Sequence, residues 1–474
     1  MQTPCISKKL SFQPLGRRRV EAAFDGGNIT SDAGLLLLRE AAVGLNLFPR
    51  LAGCFTDKRD QRRIEHTVEE LLAQRIMGIA CGYEDLNDHD HLRRDPMFAV
   101  AAGKRDPSGQ TRRHERDKGC ALAGHATLNR IETAPSDSDA KRRDHRIFHQ
   151  PEALERLFVD LFLDAHDEPP AEIVLDFDAT DDTIHGNQEG RFFHGYYKSY
   201  CYLPLYVFCG DFLLVAKLRK ADRDGASEAL NELKRIVQII RARWPETNIV
   251  VRADSGFCRD ELMVWCEAET GVDFVIGLAR NTRLVEQVEP ELETLEQAVA
   301  KTGEAHREFK ELQYRTLKSW SKTRRVVAKA EVLTGKRNPR FVVTSLTKKA
   351  VAARELYEDV YCARGDMENR IKEQQLGLFA DRTSSHTMRA NQLRLWFSSF
   401  AYVLMNELRR VGLTGTTMAR AQVWTIRERL LKVGGQITQS VRRIRLWLSS
   451  GSPVQGLFAE VLARLRPSNA VAPF

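Results

Sequence analysis

Three carboxylates, Asp178, Asp254 and Glu368, have the surroundings that metal-dependent phosphoryl transfer requires. Asp178 follows the apolar run Ile173-Val174-Leu175 in EIVLDFDAT, and Asp254 follows Ile249-Val250-Val251 in NIVVRADSGF. Glu368 belongs to a helical stretch spaced Tyr361-x-x-Arg364-x-x-x-Glu368. Short apolar runs that end in an acid read as strands delivering a carboxylate to the rim of a sheet. Two such carboxylates and a third on a helix can hold two divalent cations about 4 Å apart, the geometry that activates water or a 3′-hydroxyl against a phosphodiester. Asp176 shares a strand face with Asp178, so either can be the ligand; Asp178 is preferred because it ends the strand, before Ala179-Thr180. Asp181 and Asp182 read as turn residues, and a helix cap is the competing role of Asp254, which precedes Ser255-Gly256.

The helix around Glu368 has two stripes. Tyr361, Arg364 and Glu368 fall within about 60° of one another at about 100° per residue, and Lys372 continues the row. Leu356, Val360, Met367 and Ile371 form the apolar stripe that faces a sheet. Arg and Lys on the polar stripe suit phosphate oxygens, and Tyr can donate a hydrogen bond to one. A solvated face of i, i+4 charge pairs is the plainer reading of the same stripe. Gly377 is the expected C-cap.

The elements that must position these residues alternate from about residue 171. A strand at EIVLDFDAT is followed by strands at 202–209 and 212–218 joined through Gly210-Asp211. Leu230, Leu233, Val237, Ile240 and Trp244 then predict a helix ended by Pro245, before a strand at 249–253, a short helix at 261–266 and a strand at 274–278. Three strands, helix, strand, helix, strand is the RNase H-like order, and it sets Asp178 and Asp254 on neighbouring central strands. Ahead of this region Thr67-x-x-Glu70 is a capping box opening a helix, and Thr30-Ser31-Asp32 offers a cap before Leu35. Residues 102–146 are polar and read as a mobile or DNA-ordered connection. The last 64 residues read as helical with a break at Gly434-Gly435 and a loose tail from Pro467.

Composition narrows the class. Apolar residues make up 43% of the 474, enough for a real core, and Lys plus Arg (72) exceed Asp plus Glu (64) by 8. The excess is modest, but the cations cluster: Arg17–Arg19, Lys58-Arg59 with Arg62-Arg63, Lys104-Arg105, Arg112-Arg113, Lys141–Arg143, Arg324-Arg325, and Arg442-Arg443 with Arg445. Together they favour a surface that tracks phosphates. Nine scattered cysteines, with no CxxC pair, exclude a four-cysteine zinc site and a disulfide framework and predict free thiols in a reducing cytoplasm. No run approaches the ~18 apolar residues of a membrane span, and the N-terminus lacks the apolar core of a signal peptide. The group Asp85, Asp88, His89, Asp90, His91 and Asp95 imitates a metal site but reads as a polar junction. Among the aromatics of 192–208, most read as core or cross-strand partners. His194, Tyr196 or Tyr197 are the candidates to line DNA, and Trp320 is a weaker candidate to stack a flipped base.

The segments DFDAT, ADSGF and Tyr-x-x-Arg-x-x-x-Glu, in this order and spacing, resemble the DDE transposases of bacterial insertion sequences. HGNQEGRFFHGYYKSYCYLPLYVF, the RARWP…VVRADSGF block and NITSDAGLLLLRE resemble the IS-thirteen-eighty family, over about residues 20–410. The resemblance implies an α/β, RNase H-like mixed-sheet catalytic core with a β-containing insertion, flanked by a mainly helical N-terminal DNA-binding region and a helical C-terminal region. It implies a catalytic and metal-binding triad of Asp178, Asp254 and Glu368 with two Mg²⁺, replaceable by Mn²⁺. Tyr361 and Arg364 become the partners that orient DNA phosphates. Related elements carry a Lys seven residues after the Glu; here Gln375 stands there, and Lys372 is the candidate to supply the charge. The implied organisation is a DNA-end-binding region over 1–165, the first part of the core over 166–280, and a β-rich insertion over 281–348. The second part of the core, with the Glu helix, follows over 349–410, and a helical region, a candidate for dimerisation, over 411–474. The implied activity is cleavage at terminal inverted repeats and transfer of 3′-hydroxyl ends into target DNA, by a homodimer on double-stranded DNA in the cytoplasm, associated with the nucleoid and not with membrane. A catalytically silent DNA-binding relic and a simple Mg²⁺-dependent nuclease of the same fold are the alternatives.

Overall fold

The computed structural model describes residues 9–137 and 145–466; the Lys141–Arg143 cluster and the tail from Pro467 lie outside them. The chain forms two compact units, one from residues 1–149 with 400–474 and the other from 150–399.

The second unit is built on a nine-stranded mixed sheet. Its strands are β1 (Glu172–Ala179), β2 (Leu205–Cys209), β3 (Phe212–Lys217), β4 (Asn248–Ala253), β5 (Val272–Leu278), β6 (His306–Tyr314), β7 (Arg324–Leu333) and β8 (Arg340–Thr344), with the short Lys336–Arg337 strand beside β7. The spatial order is β3-β2-β1-β4-β5-β8-β7-β6. β4 lies parallel to both β1 and β5, and the other pairs are antiparallel.

Strand alternation assigns the two faces. Ile173, Leu175 and Phe177 of β1, Ile249 and Val251 of β4, and Phe274 and Ile276 of β5 enter one large core. Four helices pack on it: α1 (Pro151–Asp164), α2 (Ala229–Arg243), α3 (Asp260–Ala268) and α4 (Glu289–Thr302). The opposite face carries the alternate residues, and its smaller apolar cluster (Val250, Val275, Val327 and Val342) is closed by Leu356 and Tyr357.

Two expectations about segment boundaries change. α1, assigned to the N-terminal region by sequence, packs on this sheet, where Phe162 meets Phe212 and Trp244 edge to face at 5.3 and 5.4 Å. The 281–348 segment does not form a separate sheet. β8 pairs with the exposed edge of β5, so β6, β7 and β8 extend the central sheet and satisfy its backbone groups there.

In the first unit, the helix Val68–Ala80 opens with the capping box: Glu70 N–H donates to Thr67 Oγ1 and Thr67 N–H to Glu70 Oε2. Asp32 does not cap the following helix. It is buried, accepts from the Tyr83 hydroxyl at 2.8 Å and pairs with Lys432 at 2.7 Å. Gly34 caps Leu35–Gly44 without a side chain, because the 430–431 backbone lies so close that an added Cβ would sit 2.1 Å from the Leu430 carbonyl oxygen.

The polar stretch 102–137 is folded: Leu122, Leu128 and Ile131 are buried, and ion pairs order the residues around them. Arg112 donates to the Cys120 and Leu122 carbonyls and pairs with Glu65. The imitation metal group is dispersed: Asp85 and Asp95 cap short helices, Asp90 binds His125, and buried His89 bonds Gln74. Gly434-Gly435 opens a β-hairpin, Gly435–Gln439 with Ile444–Leu448, so the C-terminal region is not all helical. Every described cysteine is a free thiol. No helix among the described residues is long and apolar enough to cross a membrane.

Candidate active site

The site forms on the sheet face opposite the large core. Asp176 of β1 lies beside Arg252 of β4, which lies beside Val275 of β5. The paired register ends at Ala253, opposite Phe177 and Ile276, so Asp254 leaves the strand one residue on, towards the level of Asp178 and beside Gly277, where an added Cβ would lie 3.3 Å from the Asp254 carbonyl carbon. Period-2 alternation puts Asp176 and Asp178 on one face.

The row of Asp176 and Arg252 is a buried lock. Arg252 is 8% exposed and donates Nε to Asp176 Oδ1 at 2.5 Å and Nη2 to Oδ2 at 2.7 Å. Its Nη1 donates to the Val360 carbonyl on the Glu368 helix. A single guanidinium therefore ties together the two Asp strands and that helix. Both Asp176 oxygens are engaged by the buried Arg252, whereas the Asp178 carboxylate lies beside Arg364 of the Glu368 helix. Sequence reasoning missed Arg252; its signal was a lone cation inside the apolar run NIVVRAD, where an unpaired charge is not tolerated.

Asp178 and Asp254 each commit one oxygen to backbone. Asp178 Oδ1 accepts from Ala179 N–H at 2.9 Å, and Asp254 Oδ1 accepts from Gly256 N–H at 2.8 Å, capping the turn Ser255–Phe257. The cap uses one oxygen of Asp254, so capping does not exclude a ligand role for the other.

The chain is helical from Ala353 to Gly377, but regular α geometry holds only over Ala353–Glu355 and Gly365–Lys372; Leu356–Tyr361 and Glu373–Gly377 are wider π turns and Cys362–Arg364 a tighter turn. Such irregular turns recur at functional sites. Leu356, Met367 and Ile371 are buried as the apolar stripe requires. The helix does not end on a left-handed Gly377; the residue with positive φ is Phe379, at 60°.

Arg364 is the hub of the polar stripe. Its Nη2 donates to Glu368 Oε1 at 2.8 Å, and its Nη1 lies 3.3 Å from Asp178 Oδ2. Burial pushes the Asp178 carboxyl up to about 6; Arg364 opposes the shift, and the neighbouring charges of Asp254 and Glu368 add to it. Arg364 is itself held charged: burial works against its charge, but Asp178, Asp254 and Glu368 outweigh it. Glu368, with a half-exposed side chain, leans on Arg364.

Tyr361 reaches across Gly277. A Cβ at position 277 would lie 2.5 Å from the Tyr361 hydroxyl oxygen and 2.9 Å from Ser255 N. Only glycine lets that hydroxyl reach the Asp254 turn, a constraint that periodicity did not reveal. Burial raises the Tyr361 hydroxyl, so it is a donor at neutral pH. Lys372 is exposed on the helix, and Gln375 Nε2 donates to the Asp181 carbonyl at 3.1 Å. Trp320 stands apart. Its ring is 4% exposed, packed edge-on against Tyr314 at 5.8 Å and under Arg324, so a base could stack on it only after that packing opened. Phe192, Phe193, Tyr196 and Tyr200 are exposed, whereas Tyr202, Tyr206 and Phe208 are core.

Among the described residues no group of three or more His, Cys, Asp or Glu side chains stands close enough together to hold a metal ion. The donors nevertheless suit one in kind. All are carboxylate oxygens, and Asp178 carries a charge that Arg364 does not fully compensate. The carboxylates are drawn around a guanidinium, so ligation requires Glu368 and Arg364 to separate.

Carboxylates near two strand ends beneath a helix bearing an acid and a cation are the residue types a phosphoryl-transfer site uses. The family described as transposase DDE domain group 1 matches residues 12–470, and the chain belongs to it. Members of this family use divalent metal ions. Among solved structures, the piggyBac transposase synaptic complex with hairpin DNA, determined by cryo-EM, is similar at 12% sequence identity with a TM-score of 0.40, over 85% of this chain and 80% of that one. No curated protein matches.

Proposed function

We propose that this chain is a transposase of the IS-thirteen-eighty kind. In this reading it binds the terminal inverted repeats of an insertion sequence, cleaves the DNA and transfers the 3′-hydroxyl ends to target DNA as a homodimer. Asp178, Asp254 and Glu368 hold two Mg²⁺ ions, with Mn²⁺ able to substitute. The observation that supports the reading is the grouping of Asp178, Asp254 and Glu368 around Arg364, which pairs with Asp178 and Glu368 and feels the charge of Asp254. The order β3-β2-β1-β4-β5, with only β2 reversed against its neighbours β1 and β3, supports an RNase H-like core.

Divalent ions bound there polarise the attacking and leaving oxygens. The remaining work falls to the chain. Asp176 and Arg252 fix the spacing of the two Asp strands and the helix. Tyr361 donates its hydroxyl hydrogen towards a phosphate oxygen near the Asp254 turn. Arg364, buried beside Asp178 and Glu368, would offer a two-pronged contact to a phosphate once Glu368 turns away from it. Lys372 adds a point charge further along the helix. Trp320, buried against Tyr314 and Arg324, would stack a flipped base only once that packing opens.

The test is Mg²⁺-dependent excision of the gene's own flanking DNA by the wild type and by Glu368→Gln. Excision by the wild type alone is expected, and equal activity in both removes Glu368 from the site. Cutting without strand transfer identifies a nuclease, and binding without cutting in either protein identifies the DNA-binding relic.

A further inference from the structure

The fold sorts the basic clusters into those it uses internally and those it leaves to a partner. Arg59 is bound two-pronged by Asp57, and Lys104 by Glu70. Arg62, Arg63, Arg105 and Arg113 share a groove with Glu65, Glu69, Glu70 and Asp106. Arg324 is buried between Asp260 and Glu267, and Arg325 pairs with Glu311. Arg59, Lys104, Arg324 and Arg325 thus offset the protein's own carboxylates.

The C-terminal hairpin differs. Arg442, Arg443 and Arg445 are exposed, and none has an ion pair among the described residues. In sequence the nearest carboxylates on either side are Glu428 and Glu460. The hairpin is amphipathic in register. Ile437 is 4% exposed and, with its cross-strand partner Leu446, faces inward; Gln436, Thr438, Arg445 and Trp447 form the outward face. Arg445 lies over the Trp447 ring at 4.9 Å, and Trp447 Nε1 donates to Thr438 Oγ1, so the outward face is ordered. At the tip, Ser440 N–H donates to the Arg443 carbonyl and closes the turn that projects Val441 and Arg442 into solvent. One strand is anchored by pairing with Ile29–Thr30.

We infer that the ribbon Gly435–Leu448 is a duplex-DNA arm, with Arg442, Arg443 and Arg445 on backbone phosphates and the Gln436–Trp447 face against the groove between them. A two-stranded ribbon matches the major-groove width, and three uncompensated guanidinium groups match the charge of the phosphates. The inference rests on the transposase reading, because that reading supplies DNA as the partner. It goes beyond it by assigning a contact surface far in sequence from the acidic triad.

The test is equilibrium binding of the full chain, by fluorescence anisotropy across a KCl series, to two duplexes of about 30 base pairs. One is taken from the DNA flanking the gene and the other has random sequence. The variant is Arg442→Gln/Arg443→Gln/Arg445→Gln, checked by circular dichroism. Each lost phosphate contact lowers the slope of log K against log salt by about 0.9, so the slope should fall by about 2–3 on both duplexes, with binding weaker by about one to two orders of magnitude near 0.1 M salt. A photoreactive p-benzoylphenylalanine at Val441, in otherwise wild-type protein, should crosslink to either duplex. Unchanged slope and affinity with no crosslink overturn the inference. So does a variant that loses only self-association or only binding to vesicles of anionic lipid. A wild type that binds with the predicted slope change but never cuts defeats the transposase reading and leaves the arm standing; cutting with an unchanged slope does the reverse.

Discussion

At the residue scale, Asp178 links stability to chemistry. Its folded pKa, about 6, lies above its ordinary value of 3.8. A carboxyl raised in this way favours the fold most when protonated, so its contribution is present below about pH 4 and is lost as pH rises through about 6. At pH 7.5 the ionised group therefore weighs against the apo fold by about 2–3 kcal/mol. Asp178→Asn should raise unfolding stability by about 1–3 kcal/mol at pH 7.5, leave it nearly unchanged near pH 4, and abolish cutting; urea titrations at the two pH values, paired with a cleavage assay, check this. The same charge predicts that Mg²⁺ raises the melting temperature at pH 7.5 much more than at pH 5, where protons compete, and not at all in Asp178→Asn. A pH-independent shift would place the bound ion elsewhere. Asp254→Asn and Glu368→Gln should likewise stop cutting while a gel-shift assay still detects end binding. Equal loss of binding in all three would make these residues structural.

At the element scale, two strands and one helix are registered by side chains that touch no substrate. Removing one partner of a buried ion pair costs about 3–5 kcal/mol, so Arg252→Met, which strands Asp176 in the core, should lose that much in urea unfolding. A loss under 1 kcal/mol would show that the lock is unimportant. Gly277→Ala should lose about 1–3 kcal/mol and most of the cutting activity by pushing Tyr361 away from the Asp254 turn. Combining it with Tyr361→Phe, which removes the crowding hydroxyl, should recover only part of the stability, because the Ser255 backbone nitrogen still stands 2.9 Å from the added Cβ, and should not recover cutting. Additive losses in this double-mutant cycle would mean that the two positions do not meet.

At the scale of the whole molecule, the first unit is assembled from both ends of the chain. Ala33 and Gly34 N–H donate to the Val433 and Leu431 carbonyls, Lys432 neutralises buried Asp32, and Arg466 pairs with Glu40. The C-terminal segment is therefore part of a core and not an appended tail. Truncation before residue 423 should leave Asp32 without its cation and the 430–431 contact face open. Limited proteolysis should then cut throughout 30–100 while the Asp178 sheet stays protected; an unchanged digestion pattern would contradict this. The hairpin tip, which that core holds by one strand, can lose its arginines without such an effect.

The sequence by itself determined what periodicity and local chemistry encode. Alternating apolar runs defined β1, β4 and β5 and put an acid at the end of two of them, the 3,4 spacing defined α2, and Thr67-x-x-Glu70 defined its capped helix, because each depends on neighbours a few residues apart. The tertiary structure decided whatever depends on partners remote in sequence. It set Asp176 and Asp178 in different surroundings, since Arg252 binds both oxygens of the first across 76 positions of chain, which favours Asp178 as the proposed ligand. It brought Arg364 to Asp178, fixed position 277 as glycine under Tyr361, and joined residues 306–344 to the central sheet through an edge that no local pattern announces. The basic clusters show the same division. Composition gave their positions, but only the placement of carboxylates around them separated cations that hold the fold from those on the 435–448 ribbon, because a charge is neutralised by what lies near it in space.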